Sequence, residues 1–161
     1  MSKLIIKLPF VPVVVAVTSL LASCGAKKIP MQSFYSASNC AISEQTIRRI
    51  ETREQLDGLL SPQPFFSTGN QTSETPPIDF EHEQLILVAM GMKSTAGYRI
   101  DWSNDPATLE NGDLYLPVAL HHPPSNQIQA QVMTSPCQIF SLPKTEYREV
   151  KLRDIDNGSR N

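Results

Sequence analysis

The sequence has few of the residues that mark nucleic-acid-binding and disulfide-rich proteins. It contains 3 cysteines among 161 residues, and its formal charge is −2. Lysine and arginine never form a run longer than a pair, so there is no basic stripe to follow a phosphate backbone. These absences argue against nucleic acid as a partner and against a dense disulfide framework.

Common markers of catalysis and metal binding are also missing. Neither Gly-x-Ser-x-Gly nor His-Glu-x-x-His occurs. His121 and His122 are adjacent, and adjacent residues of a strand point to opposite faces, so the two rings cannot easily share one ion. The same alternation would separate His82 from Glu81 and Glu83, and with Asp79 nearby we expect a charged turn before a buried strand rather than a metal cluster. We therefore predict no enzyme activity, no catalytic residues, no cofactor and no metal site.

Residues 1–23 have the layout of a secretory signal. Lys3 and Lys7 precede an apolar stretch from Phe10 to Leu21, which is short for a membrane span. The string Leu21-Ala22-Ser23-Cys24 follows directly and is similar to the lipobox of bacterial lipoproteins. A plain secretory signal followed by a coincidental cysteine is the alternative.

The lipobox resemblance implies cleavage before Cys24 and attachment of acyl chains such as palmitate to that residue. Two or three acyl chains give stable membrane anchoring. Gly25 follows the cysteine where an Asp would favour retention at the inner membrane. The resemblance therefore predicts a cell-envelope protein anchored in the outer membrane and facing the periplasm.

The exported part is expected to be one domain on a tether. Residues 24–38 are mostly small and polar, which predicts a flexible tether, and residues 39–161 would form a single globular domain. Thr52 and Gln55 have capping-box spacing, which predicts one short helix near the start of the domain, and Ser61 to Pro77 is expected to be a long loop.

Short apolar or alternating segments predict that the rest of the domain is built from strands. The turn signal Asn111-Gly112-Asp113 is typical of a hairpin. The pattern predicts an all-β fold, mainly antiparallel, either a sandwich or a small barrel. The predicted strands are Ile42 to Ile50, for which a helix is the alternative, Leu85 to Met90, Tyr98 to Trp102, Leu114 to Leu120, Gln127 to Thr134, Gln138 to Leu142 and Tyr147 to Leu152.

Cys40 and Cys137 are the cysteines that remain for pairing once Cys24 is acylated. An exported, oxidising location favours a disulfide between them. Two free, buried cysteines are the alternative.

The segment Gly91-Met92-Lys93-Ser94-Thr95-Ala96-Gly97-Tyr98, with Thr134-Ser135-Pro136 downstream, resembles the C-terminal domain of PrcB. PrcB is a lipoprotein subunit of a bacterial surface protease complex. Ala96 stands where that family usually has the first glycine of Thr-Gly-Gly-Tyr. The resemblance implies that residues 85–152 form a small β domain that associates with an exported protease as an accessory subunit, not as the catalyst.

The motif itself has two interpretations. Gly97 accepts positive φ, so the chain can turn sharply before Tyr98 begins the next strand with its ring facing inward. The turn is therefore either a structural hairpin or a partner-binding tip. The partner-binding candidates are Lys93, Ser94, Thr95, Ala96, Gly97 and Tyr98.

Together these features predict a membrane-anchored exported lipoprotein that acts as a protein-binding accessory module. Its partners would be the membrane, through the lipid, and an exported protease or another envelope protein. The alternatives are an inhibitor similar to the chagasin-type cysteine-protease inhibitors, or a structural envelope lipoprotein with no link to a protease.

Overall fold

The computed structural model describes residues 25–60 and 77–155. Residues 1–24, including the predicted signal and Cys24, lie outside the described residues, as does most of the predicted loop from Ser61 to Pro77. The described part contains ten strands and one helix: β1 (Lys27–Ile29), β2 (Gln32–Ala37), β3 (Gln45–Ile50), α1 (Arg53–Leu60), β4 (Glu83–Met90), β5 (Arg99–Trp102), β6 (Ala107–Glu110), β7 (Asp113–Leu116), β8 (Val118–His121), β9 (Cys137–Pro143) and β10 (Val150–Leu152). No helix in these two ranges is long and apolar enough to cross a membrane.

The strands form three sheets. One has the order β1-β6-β7-β10, the second has the order β2-β9-β4-β3, and β5 pairs with β8 in a two-stranded ribbon. Every strand pair is antiparallel except β7 with β10. The predicted all-β fold with one short helix is confirmed, in its sandwich form.

The second sheet is buried on both faces because its two central strands carry apolar residues at nearly every position. Ile86 and Val88 of β4 point toward the first sheet, and they pack with Phe140 of the neighbouring strand β9 and with Leu114 and Leu116 of β7. The other face of the sheet packs against Leu56 of α1 and against neighbouring loops; its buried side chains include Leu85, Leu87, Ala89 and Ile139. The continuous apolar run from Leu85 to Met90 therefore supplies two cores at once.

The helix begins as the capping pattern predicts. The Gln55 amide N–H donates to the Thr52 hydroxyl at 3.3 Å. The Gln55 side chain accepts from the Glu51 amide at 2.9 Å, one residue earlier than in the usual reciprocal box. Leu56 is fully buried, and Leu59 and Leu60 pack partly buried on the same core.

The prediction of a flexible tether over residues 24–38 is wrong for most of that segment. Lys27–Ile29 pairs with β6, and Gln32–Ala37 pairs with β9. Ile29 and Met31 are buried in the core between the two large sheets. The polar composition of this segment indicated a linker, but β1 and β2 are edge strands. In an edge strand alternate side chains face solvent while the backbone is paired. The domain therefore begins at about Lys27 and not at Asn39.

The strand predicted from Gln127 to Thr134 is also wrong. Ile128, Ala130 and Val132 alternate with polar residues, which is the pattern of a strand. In the structure this segment has no partner strand, and Lys93 with Thr134 forms an isolated bridge at its end. The predicted strand from Leu114 to Leu120 is interrupted at Pro117, so that β7 joins one sheet and β8 another.

The hairpin turn was predicted correctly, and it identifies a strand that the sequence pattern missed. Asn111 and Gly112 both have positive φ, at 51° and 83°, and Glu110 pairs with Asp113 across the turn. The partner strand is β6, whose sequence Ala-Thr-Leu-Glu is too short to give a periodic signal.

Candidate functional site

The candidate turn follows β4 and leads to β5, so it connects two different sheets and is not a hairpin tip. Gly91 and Gly97 lie at its two ends with φ of 74° and 95°. A Cβ atom on Gly97 would lie 2.8 Å from the Cβ of Pro123. Glycine is therefore required at residue 97 for two reasons: its φ is positive, and a second loop approaches too closely to leave room for a Cβ atom.

This second loop, residues 122–134, holds the turn by hydrogen bonds. The amide N–H of Lys93 donates to the Thr134 carbonyl at 2.7 Å, and the Thr134 amide donates back to the Lys93 carbonyl at 2.9 Å. The Ala96 amide donates to the Ala130 carbonyl at 3.0 Å. The Thr134 hydroxyl donates to the Thr95 carbonyl at 3.2 Å. Residues 91–98 and 122–134 thus form one continuous surface, which we call the two-loop surface.

Tyr98 is half-buried within the two-loop surface and does not enter the core. Its ring meets the His122 ring edge-on, with centroids 5.5 Å apart. The Lys93 ammonium lies 5.4 Å from the centre of the same ring. The expectation of an inward-facing ring is wrong, and Trp102, four residues later, packs against Phe140 of the core instead.

The base of the two-loop surface is fixed by buried polar contacts. Ser135 is almost fully buried, and its hydroxyl donates to the Ile42 carbonyl at 2.8 Å and accepts from the Ile42 amide at 3.0 Å. The disulfide predicted between Cys40 and Cys137 is present, with Cα atoms 5.9 Å apart. The end of the 122–134 loop is therefore tied to the segment between β2 and β3, which restricts its movement.

The two-loop surface exposes large apolar side chains. Ile128 is fully exposed, and Met92, Val132 and Met133 are between 41% and 48% exposed. These are the exposed large hydrophobic residues among the residues described. The candidates named from the sequence lie together here, but the second loop, whose apolar residues were assigned to a strand, was missed.

Asp79, Glu81 and His82 come together in an exposed turn before β4. The potential ligand atoms of these residues lie within 4.8 Å of one another. The charged turn expected before the buried strand is present at residues 80–82. Because β4 begins only at Glu83, the strand alternation that was expected to separate these side chains does not apply to them. The His82 ring is 2.7 Å from Asp79 Oδ2, and this hydrogen bond lowers the pKa of Asp79. The Glu81 N–H also donates to the Asp79 carboxylate. These two contacts within the turn are sufficient to explain why the three side chains lie close together.

A polar cleft lies near the start of β4, at the end of the strand opposite the two-loop surface. Arg49, Glu51, Lys144 and Tyr147 line it. The Arg49 guanidinium is 5.4 Å from the centre of the Tyr147 ring, and burial raises the pKa of that tyrosine. The cleft carries charges of both signs and no convergent set of catalytic groups.

Comparison with known families identifies one region. Residues 85–143 match the family described as PrcB C-terminal. The match runs from β4 through β9 and includes all of the two-loop surface. It confirms the resemblance seen in the sequence, although it ends before β10 and so is shorter than the predicted region of residues 85–152. No curated protein and no solved structure matches the chain.

Proposed function

We propose that the protein is a membrane-anchored accessory subunit of an exported protease, because residues 85–143 match the PrcB C-terminal family. The observation that carries the proposal is that the family region contains both loops of the two-loop surface, where the candidate binding residues lie. The protein would bind the protease and leave catalysis to it.

The proposed anchor is a lipid on Cys24, for which the string Leu21-Ala22-Ser23-Cys24 is the support. Growth with an alkyne analogue of palmitate should label the protein in its host. We expect Cys24→Ser to abolish the label and to release the protein from the membrane fraction. Equal labelling of the Cys24→Ser variant would show that the acyl group is carried elsewhere or that there is no anchor at this residue.

The partner can be tested by affinity isolation from the native envelope after crosslinking. The wild type should recover a protease, and a Thr95→Ala, Tyr98→Ala variant should lose it. Tyr98→Ala removes the ring that contacts Lys93 and His122, whereas Thr95→Ala keeps the carbonyl that accepts from Thr134. Thermal melting of the variant establishes that the fold is retained.

A matched control is Tyr115→Ala. Tyr115 is also half-buried and packs beneath a cation, with the Arg153 guanidinium 4.5 Å from its ring centre, but it lies in β7 on the first sheet. This variant should recover the same protease as wild type. Recovery of the same partners by all three proteins would make the turn a structural feature and would contradict the proposal.

The inhibitor alternative differs in its effect on proteolysis. An accessory subunit leaves the recovered protease active or makes it more stable, whereas an inhibitor that resembles the chagasin type lowers its activity. Assaying the isolated complex with a peptide substrate, with and without added protein, separates the two functions.

A further inference from the structure

The exposed apolar side chains of the described residues are concentrated on the two-loop surface. Ile128 is fully exposed, and Val132 and Met133 are each 48% exposed. The Gln127–Thr134 strand pattern implies burial of Ile128 and Val132, yet no strand or helix of the described chain covers them. Exposed apolar groups grouped in this way mark interaction sites, and flexible methionine side chains adapt to a partner's shape.

The charge of this surface differs from that of the chain as a whole. The chain carries 16 acidic and 14 basic residues, but residues 91–98 and 122–134 contain no Asp or Glu. Lys93 and His122 lie on this surface beside the Tyr98 ring. Glu44, whose backbone packs against Gly91, borders the surface without being part of it. An apolar surface whose charged side chain is Lys93 is complementary to apolar groups that carry negative charge nearby.

The position of the surface argues that the occupant is not the membrane of the anchor. Lys27, three residues after Cys24, pairs with Leu109 close to the hairpin turn at Gly112. The Arg148 amide donates to the Gly112 carbonyl, and the adjacent Tyr147 contacts Arg49 near the start of β4.

The two-loop surface follows the other end of β4. An eight-residue strand spans roughly 25 Å, so a lipid on Cys24 would leave the surface facing away from the bilayer.

A second copy of the chain is also a poor occupant. In a symmetric dimer each two-loop surface would face an identical one. Lys93 of one copy would then approach a surface that offers no carboxylate. The charge pattern therefore favours a different protein.

We propose that the two-loop surface binds a segment of another protein in which an apolar side chain is flanked by Asp or Glu. The apolar side chain would pack among Ile128, Val132 and Met133, and a carboxylate would pair with Lys93. This inference deepens the proposed function and rests on it only for the identity of the partner as a protease.

The test uses the protein as the cell exports it, held in lipid nanodiscs, and a phage library of random decapeptides. We expect the enriched peptides to combine an apolar residue with neighbouring Asp or Glu. Ile128→Asp should weaken their binding roughly tenfold or more, as for a central contact of an interface. Since the Ile128 side chain is fully exposed, this change should leave the melting temperature nearly unaltered.

Two further variants separate charge from apolar contact. Gln32→Asp adds the same charge at an exposed position of β2, toward the start of β4, and should not change peptide binding. Lys93→Glu should shift the selection toward peptides with Lys or Arg beside the apolar residue.

Several results would overturn the inference. They are failure to enrich any peptide, enrichment without acidic residues, or unchanged binding by Ile128→Asp. Self-association seen in sedimentation, or binding of added anionic vesicles, would also overturn it if Ile128→Asp abolished either one. Because none of these measurements uses a protease, the peptide result can fail while the protease is still recovered from the envelope, and the reverse.

Discussion

Gly97 and Gly58 provide a matched pair at the scale of single residues. Ala at residue 97 would have φ near 95° and its Cβ 2.8 Å from Pro123, whereas a Cβ on Gly58 in α1 has nothing within 4 Å. We expect Gly97→Ala to lower the free energy of unfolding by more than about 1 kcal/mol, because the backbone is strained and the two loops are pushed apart. Gly58→Ala should raise it by about 0.5–1 kcal/mol. Urea denaturation followed by circular dichroism measures both.

If Gly97→Ala were as stable as wild type, the second loop, which carries Pro123, would have to move away from residue 97 at no cost. The close packing of the two loops described above would then be incorrect. Gly58→Ala serves as the control for the substitution itself, since the residue types are the same and only the surroundings differ.

Asp113 carries a pH dependence that can be measured. Its carboxylate accepts from the Lys151 ammonium at 2.7 Å and is 3.1 Å from the Arg148 guanidinium. The hydrogen bond from Lys151 lowers the pKa of Asp113. A lowered pKa in the folded state stabilises the protein above the unfolded pKa, near 3.9, and the contribution is lost as the pH falls through the folded value.

We therefore expect Asp113→Asn to lower the stability at pH 7 and to have a much smaller effect near pH 2. The same ion pair raises the pKa of Lys151, so its contribution is also lost when the pH rises through the raised value. Denaturation of wild type and variant at both pH values checks this expectation. An equal difference at pH 7 and pH 2 would mean that the effect comes from packing rather than charge.

At the scale of elements, the disulfide links the segment after β2 to the start of β9. Its cysteines are 97 residues apart, and closing a loop of that length stabilises the fold by about 4.7 kcal/mol in the chain-entropy model. We expect the Cys40→Ala, Cys137→Ala variant to lose stability of this order. Wild type treated with a reductant should melt at nearly the same temperature as the variant. Melting of the reduced protein at the temperature of the oxidised one would contradict this role for the bridge.

The elements that the sequence predicted are those with a strong local signal. The Leu85–Met90 run is apolar throughout, and the Asn111-Gly112 turn demands positive φ, so β4 and the hairpin could be recognised without the fold. β1 has three residues and β6 has four, which is too few for a period of two to be visible. Such strands form because a neighbouring strand pairs with them, and pairing between residues far apart in the chain cannot be predicted from a short stretch of sequence.

The candidate site shows the same division. The turn from Lys93 to Gly97 was found through its glycine and its family pattern. The second loop was mistaken for a strand because Ile128 and Val132 alternate with polar residues, and alternation does not reveal whether a partner strand is present. A strand pattern flanked by Pro123-Pro124 on one side and Pro136 on the other was the available warning.

At the scale of the whole molecule, Lys27 at the start of β1 and the two-loop surface lie toward opposite ends of the sandwich. The position of the surface above the bilayer can be measured by energy transfer from a dye on Ser125→Cys to labelled lipids, with Cys40 and Cys137 bridged. We expect weak transfer with a narrow distribution of distances. A Gly/Ser insertion of about 20 residues after Gly25 should give a broad distribution with closer approaches. Strong transfer in the uninserted protein would place the surface at the membrane.

Pairing of β1 as early as Lys27 leaves only Gly25 and Ala26 between the proposed lipid and the folded domain. Two residues are too few to form a flexible linker. The distance between the bilayer and the two-loop surface would then be set by the length of the sandwich. A partner bound at the two-loop surface would be held at a fixed distance from the bilayer. Envelope proteins that do not extend that far from the membrane would not reach the surface. Selection of partners by height would then operate before any side chain of the two loops makes contact.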